Sequence, residues 1–328
     1  MPLSPYPAFS VSPSSARRLD TCARQHFWAV YGFWGGWDAG LPATDPRRLA
    51  YILKNGRSLA SLVGTLVHDF ARTALDAKQA DIPFNAPQAH TNARVALSLA
   101  VRLTLAGKHL EDPKGTPALL EVFYQEQGWE DRVHRYAEEL DASIEALLLN
   151  EHFRAVVEGD AEVLYAEDRH QLHVSLPVGE VNPHAPGWEP EPFAVPVWVV
   201  PDLVYRPAGS ERRRVIVDWK TGRVDDAARA QVGVYAAWLS ARDGIAPEDI
   251  AAVAVYLQHY VEKPVAGSAD LVAEAVEGLR GSARKALAYV EDGDPRVNRP
   301  KPMEVFEQLP ADSKECRYCA FRRLCGRG

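Results

Sequence analysis

The chain is poor in sulfur, with four cysteines and two methionines among 328 residues. So few thiols exclude the dense disulfide mesh on which small secreted domains depend. Long apolar runs are missing too. None approaches the roughly 20 residues of a membrane span, so no membrane partner is expected. The opening stretch MPLSPYPAFSVSPSS lacks the basic and apolar regions of a secretory signal, and a cytoplasmic protein is the expectation. No internal repeat or low-complexity tract is present, which excludes solenoid and propeller architectures. Positive charge is not in excess either: the net charge is −7. Any nucleic-acid binding must therefore come from positive charge confined to one region. What remains is ordinary globular composition, 47% hydrophobic and 25% charged, long enough for one large domain or a core with an insertion.

The richest stretch runs from Val197 to Tyr235. Two apolar runs, Val197–Tyr205 and Arg214–Trp219, flank the turn-rich segment Arg206-Pro-Ala-Gly-Ser. A hairpin folded near Gly209–Glu211 sets Asp202 opposite Asp218, because both are equidistant from position 210. Side chains on one strand face recur every second residue, so Asp218 and Lys220 share a face. Two carboxylates and an ammonium then converge at the end of a buried hairpin. Adjacent carboxylates repel, and a hard divalent cation such as Mg²⁺ is the usual remedy. The following segment, Ala227–Ser240, reads as an amphipathic helix with Gln231 and Tyr235 four apart on one face.

Elsewhere the pattern is plainer. Ser12-Pro13 suits a helix start, and one helix is expected through Ala16–Tyr31. The aromatics Phe27, Trp28, Phe33, Trp34 and Trp37 suit base stacking or, more simply, buried core. Leu59–Leu75 is expected as a second helix, carrying Gly64 and His68 at a spacing of four. Residues 76–160, notably Thr116–Leu149, read as a helical insertion over the core, a lid or strand guide. Ala161–Leu176 alternates as one or two strands, and Glu162 is either a surface acid or a neighbour of the metal. Pro183–Pro196 reads as a proline-rich loop. Ile250–Tyr260 reads as a core strand with His259 a structural histidine, and Leu271–Val290 as a late helix.

In order, Pro201-Asp202, Asp218-Trp219-Lys220 and Gln231-x-x-x-Tyr235 resemble the PD-(D/E)XK nuclease core in its RecB-like branch. Gly64-x-x-x-His68 resembles that branch's first motif. The resemblance implies an α/β (α+β) restriction-endonuclease-like core, a mixed central sheet flanked by helices. It implies that His68, Asp202, Asp218 and the backbone carbonyl of Trp219 hold one or two Mg²⁺ or Mn²⁺ ions. Lys220 would assist the attacking water, and Gln231 and Tyr235 would position the nucleic-acid strand. The sequence departs from common members in Asp218, shorter than the usual Glu, and in Val-Val-Pro before Asp202.

Three cysteines, Cys316, Cys319 and Cys325, fall in C-x₂-C-x₅-C, and Cys22 lies 294 positions upstream of the first. Four thiolates suit tetrahedral Zn²⁺ or an iron–sulfur cluster. One remote cysteine before the core and three after it resemble the iron–sulfur subgroup of RecB-like nucleases, AddB and the CRISPR-adaptation nucleases. There the four hold a [4Fe–4S] cluster. By that resemblance the cluster staples the N-terminal helix to the C-terminal tail. It would also gather Arg17, Arg18 and Arg24 with Arg317, Arg322, Arg323 and Arg327 into one positive surface.

The expectation is a single nuclease domain over residues 1–328, in four parts. These are N-terminal helices with Cys22 and His68 (1–75), a helical insertion (76–160), the catalytic sheet (161–262), and a C-terminal helix with the cysteine tail (263–328). The function implied is metal-dependent hydrolysis of DNA phosphodiesters, as an exonuclease on single-stranded DNA or single-stranded ends, in repair, recombination or CRISPR adaptation. A helicase or a CRISPR-adaptation protein is the partner implied. The alternatives are a catalytically silent DNA-binding scaffold of a helicase–nuclease complex and a zinc-stapled protein with an accidental DxK.

Overall fold

The computed structural model describes residues 6–176, 192–224 and 227–327. The chain divides into two compact units. The sheet unit comprises Gly56–His170 and Val199–Ala275, and the cysteine unit comprises Met1–Asn55, Gln171–Trp198 and Val276–Gly328. Among the described residues, no helix is long and apolar enough to cross a membrane.

The sheet unit holds five strands: β1 (Glu162–Tyr165), β4 (Leu203–Arg206), β5 (Arg214–Lys220), β6 (Ile250–Tyr256) and β7 (Val261–Ala266). Their order is β1-β4-β5-β6-β7, with β5 and β6 parallel and the other neighbours antiparallel. A parallel pair needs a crossover, and α10 (Ala227–Asp243) lies between these two strands in the chain. The expected hairpin register is present, with Leu203 opposite Val217, Val204 opposite Ile216 and Tyr205 opposite Val215. Gly209, at φ +71°, supplies the left-handed turn that most residues avoid.

Helices cover this sheet: α4 (Leu59–Gln79), α5 (Ala86–Leu105), α6 (Lys108–Glu111), α7 (Leu120–Phe123), α8 (Trp129–Leu149) and α9 (Glu151–Val157). The spacing Leu59, Leu62, Val63, Leu66, Val67, Phe70 makes one apolar stripe on α4, and all six are buried. Residues of the expected insertion, Leu97, Ile144 and Phe153 among them, share one apolar core with Leu203, Val217 and Trp219. The Phe153 and Trp219 rings meet edge to face at 6.0 Å, a geometry that contributes about 1 kcal/mol beyond area burial.

The cysteine unit contains α1 (Pro13–Thr21), α2 (Ala23–Phe27), α3 (Pro46–Asn55), strands β2 (His170–Leu176, from Gln171 onward) and β3 (Phe193–Val199, up to Trp198), the second part of α11 (Ala269–Leu287), and α12 (Lys314–Arg317). Ser12 caps α1 in a reciprocal box: its Oγ accepts the Ser15 N–H at 3.1 Å, and Ser15 Oγ accepts the Ser12 N–H at 2.8 Å. Phe306 is fully buried, with its ring 5.0 Å from Phe27 and 4.7 Å from Tyr289.

Several expected elements differ. The first helix does not run through to Tyr31. It breaks at Cys22, which is extended at φ −160°, ψ 117°, and residues 28–32 form a π-helical turn. The run Val197–Tyr205 is two strands, because Pro201 removes a ladder donor and the chain leaves the ladder at residues 200–202. Thr116–Leu149 is interrupted between α7 and α8, where Gly128 adopts φ +69°. Of Pro183–Pro196, residues 183–191 lie outside the described residues, while 193–196 belong to β3. The strand from Ile250 ends at Tyr256, and His259 is exposed in a 3₁₀ turn rather than buried as a structural histidine.

Candidate metal centre and cysteine cluster

Asp218 sits on β5, a strand buried along five consecutive positions and flanked by β4 and β6. It is fully buried, and a buried carboxylate is costly unless something compensates its charge. Lys220, two residues on, does so: its Nζ lies 2.7 Å from Asp218 Oδ2. Lys220 also donates to Gln231 Oε1 at 3.0 Å, and Gln231 Nε2 donates to the Tyr235 hydroxyl at 2.6 Å. Strand alternation and one turn of α10 thus produce a continuous polar chain, Asp218–Lys220–Gln231–Tyr235. Tyr235 is buried at its end, and burial, then Asp202 and Asp218, hold its hydroxyl well above the usual phenol range.

Asp202 follows Pro201 just before β4. Its Oδ2 accepts the Trp219 N–H at 2.7 Å, which locks the carboxylate against the β5 backbone. Its Oδ1 lies 3.5 Å from His68 Nδ1. His68 reaches this point from α4 because Gly64 allows a close approach; a Cβ there would come within 3.2 Å of Thr221 Oγ1.

One more acid stands here, outside every sequence motif. Glu167, in the turn after β1, places Oε1 2.6 Å from His68 Nδ1. The expectation had offered Glu162, which instead pairs with Arg206 across β1 and β4, with half of its side chain exposed. Only the turn composition of Ala-Glu-Asp-Arg marks Glu167 as an exit from a strand.

The electrostatics of this cluster are those of a site short of positive charge. Burial pushes the Asp202 carboxyl up to about 7, aided by Asp218 and Glu167 against the pull of His68 and Lys220. Burial likewise raises Asp218, against the pull of Lys220. Burial alone would lower His68, but Asp202, Glu167 and Asp218 raise it to about 9. Three carboxylates and an imidazole, with Asp202 and Asp218 buried and His68 and Glu167 partly so, form an oxygen-rich donor set that fits a divalent ion such as Mg²⁺ or Mn²⁺. His68, Glu167 and Asp202 have ligand atoms within 4.8 Å of one another. Among the described residues one other such trio exists, Glu151, His152 and Glu262, which contains no motif residue.

The cysteines belong to the other unit, and all four thiols are free. The extended joint at Cys22 turns its sulfur toward the tail, 3.9 Å from the Glu307 carbonyl. Arg24 holds this arrangement, its backbone N–H donating to Glu307 O at 3.1 Å and its Nε to Phe306 O at 2.8 Å. Arg327 donates to Cys316 Sγ at 2.6 Å. Burial pushes the Cys319 thiol up to about 11, and Cys325, Cys22 and Cys316 add to the shift. Four sulfurs around one tetrahedral zinc would lie about 3.8 Å apart. Neither trio with donors within 4.8 Å contains a cysteine. No three of the four thiols lie within 4.8 Å of one another.

No curated protein matches the chain. A solved structure described as "Crystal structure of SSO0001" is similar at 15% identity, covering 70% of this chain and 84% of that one with a TM-score of 0.29. The family model of the PD-(D/E)XK nuclease superfamily matches residues 10–326. With nearly the whole chain matched, the protein belongs to the PD-(D/E)XK nuclease superfamily, whose members are metal-dependent nucleases that hydrolyse phosphodiesters.

Proposed function

We propose that this protein is a metal-dependent deoxyribonuclease that trims single-stranded DNA or single-stranded ends as an exonuclease, and that Cys22, Cys316, Cys319 and Cys325 carry a [4Fe–4S] cluster. The observation behind it is the convergence of His68, Asp202, Asp218, Lys220, Gln231 and Tyr235 within one unit of the fold. His68, Asp202, Asp218 and the Trp219 carbonyl would hold a divalent ion, which would supply Lewis acidity toward the scissile phosphate and lower the pKa of water bound to it. Lys220, fixed between Asp218 and Gln231, presents an ammonium where negative charge develops in the transition state. Gln231 sets the position of Lys220, and Tyr235 sets that of Gln231. A silent scaffold would be free to lose the acids or the lysine, and none of them is missing.

For the cluster, the support is four free thiols within one unit of the fold, in the one-plus-three arrangement that resembles the iron–sulfur subgroup. The preference for single strands and ends, the place in repair, recombination or CRISPR adaptation, and a helicase or CRISPR-adaptation partner rest on the RecB-like resemblance. Anaerobic purification, an absorption spectrum and digestion of end-labelled single- and double-stranded DNA with Mn²⁺, Mg²⁺ or EDTA test the whole reading. Absorption around 400 nm and metal-dependent trimming from ends are expected. An inert protein with every metal and both substrates would overturn the enzyme, and a colourless anaerobic preparation the cluster.

A further inference from the structure

Glu167 stands outside every motif of the sequence, yet it touches the metal centre. Its Oε1 is 2.6 Å from His68 Nδ1, and that same ring nitrogen is 3.5 Å from Asp202 Oδ1. The shared nitrogen distinguishes two roles. A carboxylate that merely orients a metal-binding histidine bonds the ring nitrogen turned away from the ion. Here Glu167 stands on the side of the ring that faces Asp202, and the donor atoms of all three residues lie within 4.8 Å of one another. Asp218 is not in that trio; its Oδ2 is taken by Lys220 at 2.7 Å.

The backbone agrees. Glu167 has φ +53°, a left-handed conformation that glutamate seldom adopts, and such positions gather at functional sites. Its N–H donates to the Pro201 carbonyl at 2.9 Å, tying this turn to the residue before Asp202. The turn thereby fixes the distance between two acids that the sequence separates by 35 positions.

We infer that Glu167 is a direct ligand of the divalent ion, sharing it with His68 and Asp202. This rests on the metal-centre reading above. Mn²⁺ is the probe, bound to the full chain and followed by calorimetry in wild type, Glu167→Gln, His68→Ala and the double variant, with Asp202→Asn as the reference. Glu167→Gln is expected to weaken Mn²⁺ binding by on the order of tenfold or more, and by a similar factor when His68 is already alanine. In Mn²⁺-soaked crystals the anomalous peak is expected within about 2.5 Å of a Glu167 oxygen. A loss that vanishes in the His68→Ala background, or a Glu167 oxygen outside coordination distance, makes Glu167 only a positioning residue and overturns the inference. If His68→Ala abolishes binding, the anomalous peak alone decides. Wild type without any Mn²⁺ binding overturns both the inference and the metal centre. Binding that fails only in Asp202→Asn, and not in Glu167→Gln, overturns the inference alone.

Discussion

The two units solve the problem of gathering ligands in opposite ways. In the sheet unit the donors ride on regular elements: Asp218 and Lys220 on a central strand, His68 and Gln231 on helices, Asp202 pinned to a strand backbone. In the cysteine unit they ride on irregular chain, a joint between two short helices and a tail of α12 and 3₁₀ turns. Catalysis demands positions held within fractions of an ångström, which a sheet provides before any ligand arrives. A metal-bound staple needs no such frame, because binding itself orders the chain around it. On the function proposed here, the sheet centre is preformed and the cysteine centre depends on its occupant.

The sharpest division should come from Asp218→Ala and Lys220→Ala. Each is expected to remove end-trimming of labelled DNA, Lys220→Ala by about 10²–10³-fold, with the absorption near 400 nm unchanged. A cleavage defect accompanied by bleaching would mean that the two centres are not independent.

The converse variants are Cys22→Ser and Cys325→Ser. Both should lose the absorption and lower Tm by on the order of 5–10 °C, read by differential scanning calorimetry. If Cys325→Ser bleaches and Cys22→Ser does not, the upstream thiol is not part of the set.

A smaller effect concerns the preformed character of the sheet centre. The folded protein without metal holds the Asp202 proton up to about 7, against an ordinary 3.8. That raised value contributes stability that is complete below about pH 4 and lost as pH rises through 7. His68, raised to about 9, acts in the same direction over its own range. Asp202→Asn should therefore stabilise the metal-free protein by a few kcal/mol above pH 7, with the gap closing toward pH 4 in urea titrations. Saturating Mn²⁺ should reverse the order. An unchanged gap across pH would contradict the charge deficit at this site.

The smallest effect expected is that of Ser12→Ala, which removes the cap of α1 and costs about 1 kcal/mol. Thermal unfolding should shift slightly while DNA cleavage holds. A loss of absorption here would show that α1 is needed to present Cys22.

Which features the sequence revealed follows the same contrast. The register of β4 and β5 was readable because two apolar runs about a turn leave one pairing that keeps both faces consistent. Asp202, Asp218 and Lys220 could then be placed by counting alone. Glu167 was not readable, since its position depends on a positive φ and on a bond to Pro201, neither of which has a periodic signal. The break at Cys22 was hidden for a related reason. The residues around it are helix-compatible, and contacts from Arg24 to Phe306 and Glu307, nearly 300 positions away, decide the local geometry. Strand β7 was missed because Pro264 and two charged neighbours obscure its alternation at the sheet edge.

The distance between Cys22 and its three partners has a consequence for how the protein is made. At about 5–20 residues per second, a ribosome needs roughly 15–60 s to cover the 294 positions from Cys22 to Cys316. Throughout that interval the first thiol waits without the others, open to oxidation, while both segments of the sheet unit emerge. If the four thiols take up the proposed cluster, delivery of iron and sulfide follows synthesis rather than accompanying it, and the recipient is a chain whose central sheet has already had time to form.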